Sequence, residues 1–377
     1  MVTAVAGPSE AIVQLDFVRQ TAGQFAFDAP VLEVESYGDG LINDTYLVTT
    51  ESGKAILQRI NQRVFPHPAL IMENLRTVLD HVRAHELNSN PVRRAFRLPT
   101  ICPSDTGRDY YIDAEGGFWR ALSFIDNTRC FNTIADLKQA EEVGFALGRF
   151  HALLSDLEPA RLHDTLPGFH ITPHYLQRFD QIAAQPTTPP DSPELRFCMD
   201  FIETQREQTW VLEEAKAKGR LSLRIIHGDP KLNNILFDAD HGRACSMIDL
   251  DTVKPGLIHY DIGDCLRSCC NTTGESSKSA VEFDLKIGYA ILKRYFDETR
   301  YFLTESDYEY LYPAIRLIPF ELGLRFVTDY LEGNRYFKVD EPEQNLRRAV
   351  IQFQLAASIE RQKRVINNLI DEVRCMG

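Results

Sequence analysis

A short polar segment between two apolar runs constrains this chain more than any other feature. His227-Gly228-Asp229 begins the segment, Asn234 follows Asp229 by five residues, and Asp249 comes directly after the apolar pair Met247-Ile248. Either half alone is also typical of a structural turn. Together they supply a general base and the oxygen ligands that Mg²⁺ prefers. The segment therefore predicts a phosphoryl-transfer site, with Asp229 as the base and Asn234 and Asp249 as the metal ligands.

Length and composition indicate a globular protein with two lobes. A chain of 377 residues is too long for one small core, and its hydrophobic content of 44% and charged content of 25% are ordinary for globular proteins. The formal net charge of −13 argues against nucleic acid as the main partner, because no basic stripe offsets it. An acidic protein can still bind ATP, since the local site and its metal ion decide that.

The chain shows no sign of a membrane or secreted location. It contains no run of about 18 apolar residues, and residues 1–10 lack the basic start of a secretory signal. The eight cysteines are scattered, and we expect Cys265, Cys269 and Cys270 to pack as small apolar side chains rather than to bind zinc. These features predict a cytoplasmic protein.

The pattern along the chain changes near residue 125. Before it, alternating apolar residues and glycine turns predict strands at residues 31–37, 45–50, 55–60, 109–113 and 118–123, with a helix-like start over residues 1 to about 30 and a helix at 69–85. After it, helical periodicity predominates, with predicted helices at 135–154, 194–218, 280–296, 305–331 (broken near Pro313 and Pro319) and 343–376. We therefore predict an α+β fold with a small antiparallel sheet in an N-terminal lobe (1–125) and a larger helical C-terminal lobe (126–377).

The order of these motifs resembles the aminoglycoside phosphotransferase and choline kinase superfamily, which shares the two-lobed protein-kinase-like fold. Four segments look more specifically like the N-acetylhexosamine 1-kinase branch: residues 37–46, 56–61, 248–256 and 325–333. The resemblance implies a phosphotransferase with an alcohol group as acceptor. It also implies ATP as co-substrate, Mg²⁺ as cofactor, and the anomeric hydroxyl of an N-acetylhexosamine as acceptor, giving the 1-phosphate.

The resemblance places the nucleotide in the N-terminal lobe. Gly38 and Gly40 would let backbone amides approach the phosphates, and Asn43 would stiffen that loop. The hinge, from Ser123 to Ile125, would offer backbone groups to the adenine edge.

The sequence of the third strand does not decide which residue supplies the phosphate-binding cation. Kinase-like sheets carry a lysine or arginine there, whereas this strand has Gln58 followed by Arg59. Only one of two successive side chains faces the nucleotide. We favour Arg59, because a guanidinium suits phosphate oxygens, with Glu73 on the following helix as its ion-pair partner.

The resemblance also implies residues around the acceptor. Lys231 resembles the basic residue that steadies the transferred phosphoryl group. The Asp251 side chain is compatible with three roles: it could bind the metal ion, contact the acceptor, or hydrogen-bond to the backbone of its own turn. We expect His170 to line the acceptor pocket. Glu321, Arg325 and Asp329 recur every four residues, which places them on one helix face, and we expect Arg325 and Asp329 to contact the acceptor. Asp261 and Asp264 resemble acidic positions that brace the catalytic loop.

Several functions remain compatible with these residues. Another sugar, an aminoglycoside or an amino alcohol would use the same base and metal ligands, although a choline-type acceptor would require an aromatic box. A regulatory pseudokinase is disfavoured because it needs no base and metal ligands together. Protein-kinase activity is disfavoured because no Asp-Phe-Gly or Ala-Pro-Glu segment is present.

Overall fold

The computed structural model describes residues 8–38, 42–88, 94–185, 192–271 and 281–375. By their contacts these residues form two compact units. The first lies within Met1–Asp80 and Leu98–Asp126, and the second within His81–Arg97 and Asn127–Gly377.

The first unit contains an antiparallel six-stranded sheet. Its strands are β1 (Val31–Ser36), β2 (Asp44–Thr50), β3 (Gly53–Arg59), β4 (Ile101–Cys102), β5 (Tyr111–Ile112) and β6 (Phe118–Ser123). They lie in the order β1-β2-β3-β6-β4, and β5 pairs with β6. Helix α1 (Pro8–Ala22) precedes the strands in sequence, and helix α2 (Pro68–Asn88) lies between β3 and β4 in sequence.

One face of this sheet forms the core of the first unit. Side chains alternate along β3, so Ala55 and Leu57 point to the same face. There they pack with residues of α1 and neighbouring strands: Val18, Ala22, Phe25, Tyr46, Val48, Trp119 and Ala121. The other face carries the polar pair Gln58 and Arg120, which lie opposite each other in the β3–β6 ladder.

The second unit has two small sheets and most of the helices. Strands β7 (Thr128–Arg129), β9 (Ile235–Asp238) and β10 (Ala244–Met247) form one sheet, and β8 (Arg224–Ile226) pairs with β11 (Lys254–Gly256). Its helices are α3 (Leu137–Leu153), α4 (Thr172–Ala183), α5 (Pro193–Gln205), α6 (Val211–Ala217), α7 (Ile258–Cys270), α8 (Leu285–Thr299), α9 (Glu305–Glu309), α10 (Leu311–Leu331), α11 (Gln344–Arg361) and α12 (Lys363–Cys375).

Helix α10 is central to the second unit, where it contacts α4, α7 and α11. Capping side chains fix the start of several other helices. The Asp136 carboxylate accepts from the Gln139 amide at the start of α3, and Thr304 and Asp307 form a capping box at α9.

The structure confirms the predicted α+β fold, with an antiparallel sheet in the first unit and most of the helices in the second, and it differs from the prediction at element ends. The predicted strand 109–113 is reduced to Tyr111–Ile112, and the predicted helix 343–376 divides into α11 and α12 at Gln362. The predicted helix 305–331 divides into α9 and α10 at Tyr310, close to the break predicted near Pro313, whereas Pro319 lies inside α10 and does not divide it. Among the described residues, none of the helices has the length and apolarity needed to cross a membrane.

Candidate active site

The loop that carries Asp229 begins with a turn that only glycine can make. Gly228 has φ +84°, and a Cβ atom there would lie 2.7 Å from the carbonyl oxygen of Thr252. The Thr252 hydroxyl donates to the carbonyl oxygen of His227 at 2.8 Å. The loop after β8 is thus held against the turn that follows Asp249.

A buried carboxylate braces the same loop. The backbone amides of His227 and Gly228 donate to Asp261 at 2.6 and 2.8 Å, and the His151 imidazole lies 2.9 Å from the same carboxylate. Burial opposes ionisation of Asp261, but these hydrogen bonds, above all that from His151, hold its pKa below the usual value. Asp261 therefore anchors the start of the loop to α7 as an anion.

His227 connects the loop to the strand end before Asp249. Its Nε2 donates to the carbonyl oxygen of Ile248 at 3.0 Å, and its Nδ1 accepts from the amide of Asp229 at 3.3 Å. This pattern requires a neutral imidazole, in agreement with the lowered pKa that burial gives His227.

Asp229 lies half-buried between a cation and an amide. Its Oδ2 accepts from Lys231 Nζ at 2.7 Å and from Asn234 Nδ2 at 3.2 Å, and Asn234 Nδ2 also donates to the Asp229 carbonyl at 2.8 Å. Burial raises the pKa of Asp229, but the charge and the hydrogen bond of Lys231, together with weaker contributions from neighbouring groups, outweigh burial and lower the pKa overall. Asp229 is therefore an anion, which is the form that a base requires.

Asn234 and Asp249 are brought together by the backbone. The amide of Ile248 donates to the carbonyl oxygen of Asn234 at 2.9 Å, and Asp249 follows at once in the left-handed conformation, with φ 64°. Burial lowers the pKa of Lys231, but the charges of Asp229 and then Asp249 raise it overall. The amide and carboxylate oxygens offered by Asn234 and Asp249 form a sparse, hard donor set that fits Mg²⁺.

His170 supports the loop from the other side. Its Nε2 donates to the carbonyl oxygen of Gly228 at 2.9 Å, and its Nδ1 donates to Glu321 at 3.0 Å. Both ring nitrogens donate, so His170 is an imidazolium; burial opposes the charge, yet Glu321 raises the pKa. We revise the prediction that His170 contacts the acceptor, because the residue is 3% exposed and both ring nitrogens are engaged.

Arg325, one helical turn after Glu321, lies inside an aromatic cage. The centre of its guanidinium is 5.2 to 5.9 Å from four ring centroids, those of Phe169, Tyr175, Tyr336 and Phe337. Within the described part of the chain, no protein acceptor makes a hydrogen bond to this guanidinium. Its N–H donors are therefore available to a ligand.

Asp329 has a structural role that the sequence did not predict. Its Oδ1 accepts from the amides of Arg335 and Tyr336, each at 2.8 Å, and its Oδ2 accepts from the Phe337 amide and the Asn345 side chain, each at 2.9 Å. We revise the prediction that Asp329 contacts the acceptor, because these donors occupy both oxygens. Asp329 instead holds Tyr336 and Phe337, two rings of the cage.

Asp251 is buried in the short 3₁₀ turn Leu250–Thr252. Its carbonyl oxygen accepts from the Thr165 hydroxyl at 3.0 Å. The three roles predicted for its side chain remain predictions.

In the first unit, the glycine loop is only partly described. Gly38 has φ +73°, and a Cβ atom placed there would meet nothing within 4 Å, whereas Gly40 lies outside the described residues. Asn43 Oδ1 accepts from the Asn61 amide at 3.0 Å, which ties the loop to the chain just after β3.

The sheet register places Arg59 and Gln58 on opposite faces of the sheet. Arg59 shares the α1-covered face with Leu57 and lies 5.7 Å from the Trp119 ring. On the opposite face, Gln58 Oε1 accepts from Arg120 Nε at 3.0 Å and from Nη2 at 2.7 Å. Arg59 is partly exposed at the end of β3. The opposite face, on which Gln58 lies, carries two cations, the exposed Lys54 and the buried Arg120. The pairing of β3 with β6 brings Arg120 to this face, which the sequence alone did not indicate.

The remaining nucleotide-site candidates lie on separate elements of the first unit. Glu73 is exposed on α2. The Ser123 amide donates to the carbonyl oxygen of Thr100 at 2.8 Å, and the Ser123 hydroxyl accepts from the Thr100 amide at 2.9 Å. Ile125 is buried.

A family model confirms the kinship that the motif implies. The model described as APH, the phosphotransferase enzyme family, matches residues 33–295. The chain belongs to this family. It is therefore a phosphotransferase, and the match spans the glycine loop, the strand pair of Gln58 and Arg120, and the loop of Asp229.

Solved structures show that this phosphotransferase has the fold of small-molecule kinases. It is similar to a microcompartment-associated aminopropanol kinase (TM-score 0.62, 16% identity, covering 93% of this chain and 98% of that chain). It is similar to an ethanolamine kinase from Plasmodium vivax (TM-score 0.58, 14% identity, covering 93% of this chain and 91% of that chain). It is also similar to an amicoumacin kinase in complex with AMP-PNP, Ca²⁺ and Ami (TM-score 0.54, 15% identity, covering 98% of this chain and 96% of that chain). At these identities the likeness concerns the fold alone.

Proposed function

We propose that this phosphotransferase is an ATP- and Mg²⁺-dependent kinase that phosphorylates the anomeric hydroxyl of a free N-acetylhexosamine and gives the 1-phosphate. The observation that carries the proposal is the position of Asp229, an anion held between Lys231 and Asn234 beside Asp249. This grouping of a carboxylate, a cation and oxygen donors supports the proposal, because phosphoryl transfer requires a base, positive charge and metal ligands at one place.

Asp229 and Lys231 carry the proton and charge steps. Asp229 accepts the proton of the acceptor hydroxyl as its oxygen bonds to the γ-phosphorus, and the bond from that phosphorus to the β–γ bridging oxygen breaks to release ADP. Lys231 holds Asp229 in position and neutralises charge on the transferred phosphoryl oxygens.

Asn234 and Asp249 would hold the Mg²⁺ ion. Bound there, the ion would supply positive charge to the nucleotide phosphates. The similarly folded amicoumacin kinase was solved with a nucleotide analogue and Ca²⁺, which supports the use of a divalent ion together with ATP.

We assign nucleotide binding to the N-terminal lobe (1–125) and catalysis with acceptor binding to the C-terminal lobe (126–377). Gly38 would contact the phosphates from the glycine loop, which Asn43 ties to the chain just after β3. Arg120, oriented by Gln58, would supply the cation that kinase-like sheets otherwise take from a lysine on the third strand.

The aromatic cage favours a sugar over an amino alcohol. Aromatic rings bind quaternary ammonium groups when their centre is empty, but here Arg325 fills it. A cationic acceptor, whether an amino alcohol or an aminoglycoside, would be repelled by the guanidinium. A neutral acceptor that presents hydroxyl and acetamido oxygens would instead receive its N–H donors.

An acceptor panel tests the proposal. ADP release would be measured with Mg²⁺-ATP and N-acetylglucosamine, N-acetylgalactosamine, plain hexoses, ethanolamine, choline or an aminoglycoside, with Asp229→Asn as control. We expect turnover with an N-acetylhexosamine that is lost in the variant. Turnover only with another acceptor would overturn the proposed substrate. ATP binding without turnover on the whole panel would overturn the proposed kinase activity in favour of a regulatory role.

A further inference from the structure

Two histidines and an aspartate meet in the second unit, outside the candidate active site. His81 and His85 lie one turn apart on α2, and Asp156 lies just after the end of α3. Residues four positions apart on a helix share a face, so both imidazoles project toward the same carboxylate. The His-x-x-x-His spacing is the one through which helical histidines bind zinc.

The distances are close to those of a metal site. His81 Nε2 lies 3.0 Å from Asp156 Oδ1, and His85 Nε2 lies 2.9 Å from Asp156 Oδ2. One ligand atom from each of the three residues lies within 4.8 Å of the other two. Around a tetrahedral ion with bonds of about 2.0–2.2 Å, ligand atoms lie roughly 3.3–3.5 Å apart. The two imidazole rings have centroids 4.7 Å apart. They would therefore need to move only slightly to bind an ion.

We infer that His81, His85 and Asp156 form a binding site for a zinc-class divalent cation. Imidazole nitrogens with one carboxylate suit Zn²⁺ and Co²⁺, whereas Mg²⁺ prefers oxygen ligands. The site is thus chemically distinct from the oxygen pair of Asn234 and Asp249. Each imidazole binds the ion through Nε2 in its neutral form, with the ring proton on Nδ1.

The three ligand side chains can be reached from solvent. The side chains of His81, His85 and Asp156 are 13%, 42% and 59% exposed, so the ion reaches the site from solvent and water completes its coordination.

A bound ion would join the C-terminal part of α2 to the segment after α3. A ligand that binds only the folded state raises stability by mass action. We therefore expect Zn²⁺ to raise the thermal midpoint of the protein, independently of which acceptor the enzyme uses.

Cobalt titration of the full chain tests the inference. Chelator-treated protein would be titrated with Co²⁺ while its visible absorption is recorded, and Zn²⁺ would then be added in competition. We expect saturation at one equivalent, displacement by Zn²⁺ and no displacement by excess Mg²⁺. The variants His85→Gln and Asp156→Asn should each weaken binding by more than about tenfold.

A matched control separates this site from ordinary surface histidines. His241 Nδ1 lies 3.1 Å from Asp238 on the surface, which is a histidine–carboxylate pair without a second histidine. His241→Gln should leave the titration unchanged. Thermal unfolding without metal establishes that each variant is folded. Absence of saturable binding, or binding that both site variants retain, would overturn the inference.

Discussion

The imidazolium of His170 and the carboxylate of Glu321 form a buried ion pair, in which Nδ1 of His170 lies 3.0 Å from the carboxylate. The other ring nitrogen, Nε2, donates to the carbonyl oxygen of Gly228, the residue before Asp229. The Thr172 hydroxyl donates to the second oxygen of Glu321 at 2.7 Å. Helix α10 thus supports the catalytic loop through one histidine.

Replacement of Glu321 by Gln should destabilise the protein in a pH-dependent manner. Loss of one partner from a buried ion pair costs about 3–5 kcal/mol of the free energy of unfolding. His170 has a raised pKa in the folded state, so its stabilising contribution is complete below its unfolded pKa of about 6.5 and is lost as pH rises through the folded value.

The difference between wild type and Glu321→Gln should therefore be largest near pH 6 and shrink at alkaline pH. Denaturant unfolding at several pH values measures it. The control is Glu332→Gln, which removes a partner of the exposed Arg178 and should cost about 0–1 kcal/mol. A pH-independent difference at position 321 would contradict the charged state of His170.

Replacement of Arg120 by Met should raise the KM for ATP by about tenfold or more, because the proposed phosphate cation is lost. Arg59→Met offers a matched control, since Arg59 lies one position along the paired strand but on the opposite face. Its KM for ATP should stay within about twofold. Equal effects of the two variants, or an effect of Arg59 alone, would refute the assignment of Arg120.

Replacement of Arg325 by Ala should lower kcat/KM for the sugar by about a hundredfold, since a charged hydrogen-bond donor is worth roughly 1.5–3 kcal/mol. Added guanidinium ion should restore part of the activity by entering the empty cage. Arg348→Ala is the control, because Arg348 contacts the Phe326 ring at 5.6 Å outside the cage. Full activity of Arg325→Ala would exclude the residue from acceptor binding.

Removal of the divalent ion should abolish turnover, and Asp249→Asn should raise the Mg²⁺ concentration for half-maximal rate by about tenfold or more. The variant loses the only carboxylate of the proposed metal pair, while Asn234 remains. Titration of the initial rate with Mg²⁺ at fixed ATP measures the shift. An unchanged Mg²⁺ dependence would place the ion elsewhere.

The loop of Asp229, Asn234 and Asp249 could be predicted because its residues are close in sequence and their spacing carries the geometry. Arg120 could not, since its relation to Gln58 depends on a strand pairing across 62 residues. A single position along β3 decides which face a side chain occupies, and the sequence alone led to Arg59.

The helix periodicity correctly placed Glu321, Arg325 and Asp329 in line, but it could not distinguish their partners. Glu321 pairs with His170, Arg325 enters the cage, and Asp329 caps the chain after α10. Those partners come from other segments, which no local pattern specifies.

The central claim is that Asp229 is the base of an anomeric kinase. Phosphorus NMR of a reaction with Mg²⁺-ATP and N-acetylglucosamine or N-acetylgalactosamine tests it most directly, with wild type and Asp229→Asn in parallel. We predict a phosphate resonance coupled to the anomeric proton, formed about 10²–10⁴-fold more slowly by the variant, with ATP affinity unchanged. A phosphate on another hydroxyl, or a variant as fast as wild type, would contradict the account.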